Sequence, residues 1–532
     1  MAPSDKPGDR GSRGKPRPSS KGGGSKFRGS SKKSGPPFNK NRRSSEEKSG
    51  PSNDDRKASP YRGRRSAADS SQESTGARPQ RSEHRGGPRR NSRGGPEHRG
   101  APRRGSEGRR DSRGRNNDRS RGPQRKEQHP GANKDYSKKL VATCALGLEL
   151  TVGRELEALG LGPISRDNAQ VSFPYSPENI AKANYWLRTA DRVWLQLAEF
   201  PARDFEELFQ GVKAIDWPDM LPQDAWFPVE AISTKSKLES ISSCQAITKK
   251  AACEKMEAHY GLSVFSETGP RFAIRVFIVY NRARVFLDTS GEGLHRRGYR
   301  TFNAKAPLRE TVAAALVLLS HWSPGRELYD PLCGSGTILL EAAAIGLKKA
   351  AGMERSFAAQ RWKFLGRECW EEVHTEALDL FDRRGQLKIF GSDNDGKVLK
   401  LANTHLEQAG LSGRGIYFQK LDVADFSSKR KYGVMITNPP YGKRLGTEEE
   451  VEDLTRTLSE TFEPLQETWS LYYYTGYGRF TELYGREPER VRKIYNGKLE
   501  ANLLQYPGPR PPGLTPELEG TVPTPKRIRI KP

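Results

Sequence analysis

Three aspartates in this 532-residue chain each follow a short apolar run: Asp330 closes "ELYD", Asp393 follows "LKIFGS", and Asp422 follows "IYFQKL". One such acid is usually a helix cap or a surface charge, but three delivered in order by three successive strands form a set. Between the first and second lies a glycine-rich loop, Cys333 to Gly336, that opens into "TILLEAAAIGL". This strand, loop and helix unit belongs to a doubly wound sheet, whose ligands sit beyond the carboxyl ends of the strands. A phosphate-cradling loop would need Gly-Lys-Ser/Thr, and Gly336 is followed by Thr337; the dinucleotide pattern GxGxxG is missing as well. What remains is a loop in which Gly334 and Gly336 let the backbone approach a compact ligand closely. Asp393 is placed to accept from both ribose hydroxyls of a nucleoside, and Asp422 from an adenine amino group. With Asp330 and Cys333 beside them, these residues are expected to hold S-adenosylmethionine. Asp395 is the alternative ribose partner, but its position suits a cap for the helix "GKVLKLANTHLEQAG".

The second constellation is "GVMITNPPYGKRLG", residues 433–446, where a buried strand runs into Asn438, Pro439, Pro440 and Tyr441. Two prolines fix φ twice and remove two donors, leaving the surrounding carbonyls free to accept. An exocyclic amino group on a base is a poor nucleophile because its lone pair is delocalised into the ring. Asn438 Oδ1 and the Pro439 carbonyl can each accept one of its N–H bonds and turn the lone pair towards a methyl donor. Tyr441 offers a face for a flipped-out base. No strong base is required, since the methylated nitrogen sheds its proton readily, so catalysis is mainly orientation plus a preorganised dipole pair. Asn438 belongs to the donor site and the catalytic set alike. The motif points to amino methylation without naming the base, because adenine N6, cytosine N4, guanine N2 and glutamine amides all fit it.

These residues need a scaffold, and the sequence supplies it unevenly. Residues 1–130 hold 36 Lys+Arg against 14 Asp+Glu, a net of +22, and no Val, Ile, Leu, Trp or Cys; the other residues hold 55 and 51, a net of +4. A segment without a core cannot offset the entropy of ordering, so disorder is expected over 1–135. Its Arg-Gly-Gly-Pro repeats at Arg85 and Arg93 suit phosphate neutralisation and stacking on RNA bases. "LVATC" reads as a strand before an amphipathic helix, residues from Cys244 as a helix, and "RFAIRVFIVYNRARVFLD" as two strands turned at Asn281, together an α+β domain over 138–298. A basic loop over 298–311 leads into the α/β domain, residues 299–506, with a helix starting near Ala306. Residues 507–532 are proline-rich and expected to be disordered. The start of the chain has no apolar core of a signal peptide, and "VAAALVLL" is too short to span a bilayer. Five scattered cysteines suggest neither disulfides nor zinc, so a cytoplasmic protein without a metal is expected.

From "FPVEAISTKSKLESISSCQAITKKAACEKM" through "LDTSGEGLHRRGYR" and "KAPLRETVAAALVLLSHW" to the motifs above, residues 138 to 505 resemble the bacterial THUMP-containing class I RNA methyltransferases. The likeness implies a ferredoxin-like piece and an RNA-binding THUMP domain (about 180–290) before a Rossmann-like methyltransferase domain, with Lys235, Lys237, His295, Arg296 and Arg297 as RNA contacts. Within that family it is greatest to enzymes that methylate guanine N2 in 23S ribosomal RNA. A tRNA guanine-N2 or RNA adenine-N6 enzyme shares the chemistry, and a ribosome-assembly RNA-binding protein with secondary or lost catalysis is the reading from another class. Some relatives carry a second methyltransferase domain; no second glycine loop or NPPY follows here, so one catalytic domain is expected.

Overall fold

Residues 170–174 and 274–279 alternate buried and half-buried side chains, the period-2 pattern of strands with one face on a core. The computed structural model describes residues 135–300, 308–441 and 447–513; the two tails, the stretch 301–307 and most of the basic loop after Tyr441 lie outside them. In chain order the first half contains β1 (Lys139–Cys144), α1 (Glu149–Ala158), β2 (Ser165–Asp167), β3 (Gln170–Pro174), α2 (Pro177–Trp186), β4 (Ala190–Pro201), α3 (Phe205–Lys213), β5 (Val229–Thr234), α4 (Ile241–Tyr260), β6 (Ile274–Val279) and β7 (Arg282–Asp288). The long strand β4 pairs with β1 on one side and β7 on the other, so a single seven-stranded sheet, β2-β3-β1-β4-β7-β6-β5, runs through the whole half. The β6–β7 hairpin turns at Tyr280 and Asn281, with φ of 50° and 57°, the left-handed pair that matches strand twist in a two-residue turn. Helix α4 starts on Ser240, whose Oγ accepts from Ser243 N, and stops at Gly261, with φ 68°.

The second half contains α5 (Glu310–Leu319), β8 (Leu328–Asp330), α6 (Thr337–Gly346), α7 (Glu368–Leu380), β9 (Ile389–Asp393), α8 (Gly396–Gln408), β10 (Ile416–Lys420), β11 (Val434–Thr437), α9 (Glu448–Phe462), β12 (Ser470–Thr475), α10 (Phe480–Tyr484), β13 (Arg490–Asn496) and β14 (Leu499–Tyr506). Its sheet order is β10-β9-β8-β11-β12-β14-β13, with β14 antiparallel to both its neighbours and the first five strands parallel. The chain moves outward from β8 to β9 and β10, then returns to the other side of β8 with β11. That reversal opens a crevice at the carboxyl ends of β8 and β11.

The halves share one apolar core that includes Leu140, Phe272, Trp362 and Leu503. Phe272 stacks on Trp362 with centroids 4.9 Å apart. A buried ionic knot lies between them: the Arg297 guanidinium donates to Leu294 O (2.8 Å), to the carbonyl of Arg188 and to both oxygens of Glu341 (3.3 Å), and Tyr299 Oη donates to Glu341 Oε1 (3.1 Å). Arg297 is 5 % exposed. The expectation that Arg297 touches RNA is therefore corrected: "HRRGYR" reads as a basic loop, but its second arginine is spent on joining the halves. Strand β9 begins two residues later than the apolar run suggests and includes Asp393 as its last residue, while α5 begins at Glu310 rather than near Ala306. Among the described residues no helix is long and apolar enough to cross a membrane.

Candidate active site

The crevice holds a cleft of about 370 Å³, and Asp330, Cys333, Gly334, Asp393, Asp422, Asn438 and Pro440 all line it. Asp330 is 2 % exposed; its Oδ1 accepts from Thr437 Oγ1 (2.7 Å) and Leu332 N (3.2 Å), tying the end of β8 to the end of β11. Burial pushes its carboxyl up to about 7, against the two hydrogen bonds and with help from the Asp393 charge. Asp393 Oδ2 accepts from Gly334 N and Oδ1 from Asp395 N, both 3.0 Å, so this carboxylate also shapes the glycine loop. Asp395 caps α8 through Lys397 N (2.8 Å). Asp422 is exposed and accepts from Ala424 N at 3.1 Å.

The two loop glycines do different work. Gly334 has φ 54° and open space where a Cβ would be, whereas a Cβ on Gly336 (φ 80°) would come 2.9 Å from the Phe418 ring. Gly334 thus leaves room for a ligand, and Gly336 serves the contact of α6 with the sheet. Cys333 is buried, and its Cβ lies close to where a Cβ on Gly391 would stand (3.1 Å); burial raises its thiol well above the ordinary value, so it is a packing group and not a nucleophile.

Two features decide what fits. First, the walls carry three carboxylates and not one Lys, Arg or His among the described residues. Such a cleft repels phosphate and favours a ligand with positive charge, which suits the sulfonium and ammonium of S-adenosylmethionine. Second, Asn438 Oδ1 is buried and has no hydrogen-bond partner among the described residues. An unsatisfied buried acceptor costs about 1–3 kcal/mol, and this one belongs to a residue of the cleft wall. Pro439 is buried, Pro440 half-buried in the cleft wall. Tyr441 is not among the residues that line the cleft; it packs against the apolar core, and a Cβ on Gly476 would lie 2.8 Å from its Cδ2, so that glycine admits the ring at the end of β12.

Sequence reasoning missed Leu308, Asn394, Val398, Leu421, Val423 and Leu454, which also line the cleft. Asn394 and Leu421 adjoin motif acids and were within reach of it. Leu308 and Leu454 come from before α5 and from α9, and no spacing rule connects them to the motifs.

The expected RNA contacts are scattered. Lys235 and Lys237 are exposed in the loop after β5 and bond to the β6–β7 turn, Lys235 Nζ donating to Tyr280 Oη (3.0 Å) and Lys237 N to Asn281 Oδ1 (2.8 Å). Arg296 is exposed; with His295, Arg300, Arg309 and Arg355 it lines a second cleft of about 610 Å³ before α5. His295 is half-buried, and burial first, then the surrounding arginines, push it down to about 4. It is neutral at physiological pH and brings no charge to a phosphate.

Comparison with known proteins agrees with this architecture. Residues 139–194 match the RlmL ferredoxin-like domain, 202–288 the THUMP domain, and 297–505 the RMKL-like methyltransferase domain. The chain is 41% identical over 369 residues to the putative RNA methyltransferase YpsC of Bacillus subtilis, covering 69% of this chain and 95% of that one. It is 33% identical to the ribosomal RNA large subunit methyltransferase K/L of Methylococcus capsulatus, of which it spans only 50%. A crystal structure of SMU.472, a putative methyltransferase complexed with SAH, superposes with a TM-score of 0.67 at 43% identity, covering 70% of this chain and 98% of that one. A relative this similar over nearly its full length, and three domains in one order around an acid-lined cleft, make the chain a member of the family of THUMP-containing, S-adenosylmethionine-dependent RNA methyltransferases.

Proposed function

We propose that the protein methylates the exocyclic N2 amino group of a guanine in 23S ribosomal RNA, in the cytoplasm. The observation that carries this reading is Asn438 Oδ1, a buried acceptor without a partner among the described residues, on a residue of a cleft whose described walls hold no cation. Asp393 and Asp422 would hold the ribose and adenine of S-adenosylmethionine, Gly334 gives its amino-acid end room, and Asp330 supplies negative charge nearby. The cofactor brings an electrophilic methyl group. The chain's own task is to present a nucleophile: Asn438 Oδ1 and the Pro439 carbonyl accept the two N–H bonds of the amino group, the prolines hold that carbonyl still, and Tyr441 stacks the displaced base. Guanine is favoured over adenine by the resemblance of residues 138 to 505 to guanine-N2 enzymes, and ribosomal RNA by the name of the large-subunit K/L relative, of which the chain spans half the length. Arg296, Lys235 and Lys237 are offered as RNA contacts on the strength of their exposure.

Incubating 23S rRNA from an unmodified source with the enzyme and S-adenosylmethionine, then digesting to nucleosides, is expected to give N2-methylguanosine by mass spectrometry. N6-methyladenosine in its place would overturn the substrate and leave amino methylation standing. Modification of tRNA alone would move the activity to the second reading.

A further inference from the structure

The connection from β10 back to β11 skips over β9 and β8, a crossing that an α-helix normally makes and thereby covers the sheet. Here residues 421–433 contain one short 3-10 turn, Val423–Asp425, and no α-helix. The face of the edge pair is left open. Phe390 of β9 and Tyr417 of β10 are direct partners in register, and their rings stack with centroids 5.8 Å apart and planes 20° from parallel. Phe390 is anchored against the apolar cluster around Tyr329 and Phe426, whereas Tyr417 is 62 % exposed. The pair stands in a cleft of about 680 Å³ together with Lys388, Arg430 and Lys431. Arg430 lies 5.7 Å from the Phe390 centroid and pairs with Glu327; Lys388 and Lys431 are exposed, and no ion pair holds either of them among the described residues.

We infer that this surface is a second RNA-binding site, a stacking platform for an unpaired base of single-stranded RNA whose phosphates run over Lys388 and Lys431. An aromatic ring that is already stacked underneath and open above, flanked by solvated cations, is the arrangement that binds single strands without regard to sequence. A protein partner is disfavoured by the same composition, since the centres of protein interfaces are poor in lysine and this surface has one exposed ring and no wide apolar area. The platform lies towards the amino ends of the strands whose carboxyl ends carry Asp393 and Asp422. Phe390 is three residues from Asp393, on the order of 10 Å along the strand, so one folded RNA can reach the methyl-donor cleft and the platform together. The inference rests on the reading that the substrate is RNA.

The test uses the full chain and a fluorescein-labelled oligoadenylate of about 15 nucleotides, a length a single-strand site can hold. Tyr417→Ala is expected to weaken binding by about 5- to 100-fold, the usual effect of removing one stacking ring, while Tyr417→Trp binds like the parent and both retain S-adenosylmethionine affinity. Lys388→Glu combined with Lys431→Glu, on exposed positions that leave the core intact, is expected to weaken binding with a shallower salt dependence. Parent-like affinity in Tyr417→Ala and in the double variant would overturn the proposal. So would the loss from Tyr417→Ala of a ribosomal protein captured by the parent from nuclease-treated large subunits, with RNA affinity unchanged; that result makes the surface a protein dock. The substrate reading is judged separately by N2-methylguanosine formation: its absence, with Tyr417-dependent RNA binding intact, counts against the guanine assignment alone.

Discussion

A single side-chain oxygen carries the mechanistic argument. Asn438 Oδ1 is buried without a partner among the described residues, a cost that a donor arriving at the cleft would relieve. Asn438→Ala is expected to leave S-adenosylmethionine and RNA affinity nearly unchanged while slowing single-turnover methyl transfer by roughly 10²- to 10³-fold, as loss of one preorganised polar partner does; a matching loss of RNA affinity would make it an ordinary binding contact. Asp330 gives a pH signature. Its carboxyl titrates near 7 in the folded chain because of burial, against about 3.9 in an unfolded chain. The folded state thus binds the proton more tightly, so the contribution of Asp330 to stability is fully present at low pH and is lost between about 4 and about 7 as the pH rises. Asp330→Asn keeps an acceptor oxygen for Thr437 and Leu332 N. Without donor it is expected to be more stable than the parent above pH 7, with the difference vanishing towards pH 4 in urea titrations. The parent's affinity for the cationic donor should rise from pH 6 to 8, and that of the variant should stay flat.

Among the elements, the segment between β7 and α5 does more than connect. Arg297 and Tyr299 enclose Glu341 of α6, so the helix that starts at the glycine loop is pinned from the THUMP side of the chain. Arg297 and Glu341 are both fully buried, with side chains 4 % and 2 % exposed. Removing one member strands the other, so Arg297→Ala is expected to cost about 3–5 kcal/mol in equilibrium unfolding. A loss below about 1 kcal/mol would show the site relaxing to admit water. The same helix carries Thr337, whose Oγ1 accepts from Arg300, itself paired with Glu310 at 3.3 Å. The loop that admits the donor is therefore braced by residues on both sides of the domain junction.

For the whole molecule, charge and fold are separately encoded. Residues 1–130 carry a net +22 and the rest +4, so long-range attraction to RNA is expected to come chiefly from the tail and selection of a base from the folded part. A chain beginning at Asp135, whose N–H and carbonyl pair with Glu199 (2.8 and 2.6 Å), is expected to keep its turnover at saturating RNA, to bind RNA more weakly and to show a shallower dependence of log affinity on log salt. Equal slopes for the long and short chains would leave the tail without a part in binding.

The motifs that could be read from the sequence are those whose chemistry is local. A strand ending in an acid, a glycine loop before a helix, and Asn-Pro-Pro-Tyr after a buried run each depend on neighbours in the chain, which is why Asp330, Gly334, Asp393, Asp422 and Asn438 were identifiable from order and spacing and why the cleft is lined by all of them. The turn at Asn281 was visible for the same reason, although the part of Tyr280 in it was not. What depends on distant partners was not. Exposed and buried arginines look alike in "HRRGYR", and only the packing of α6 against the domain junction makes Arg297 a buried pin. The single sheet through the first half arises because β4 has two pairing edges, and no composition rule reports which strands occupy them. Leu308 and Leu454 reach the cleft from segments 146 residues apart in the chain. The open face at Tyr417 exists because a crossover lacks a helix, a property of topology that the residue itself does not carry.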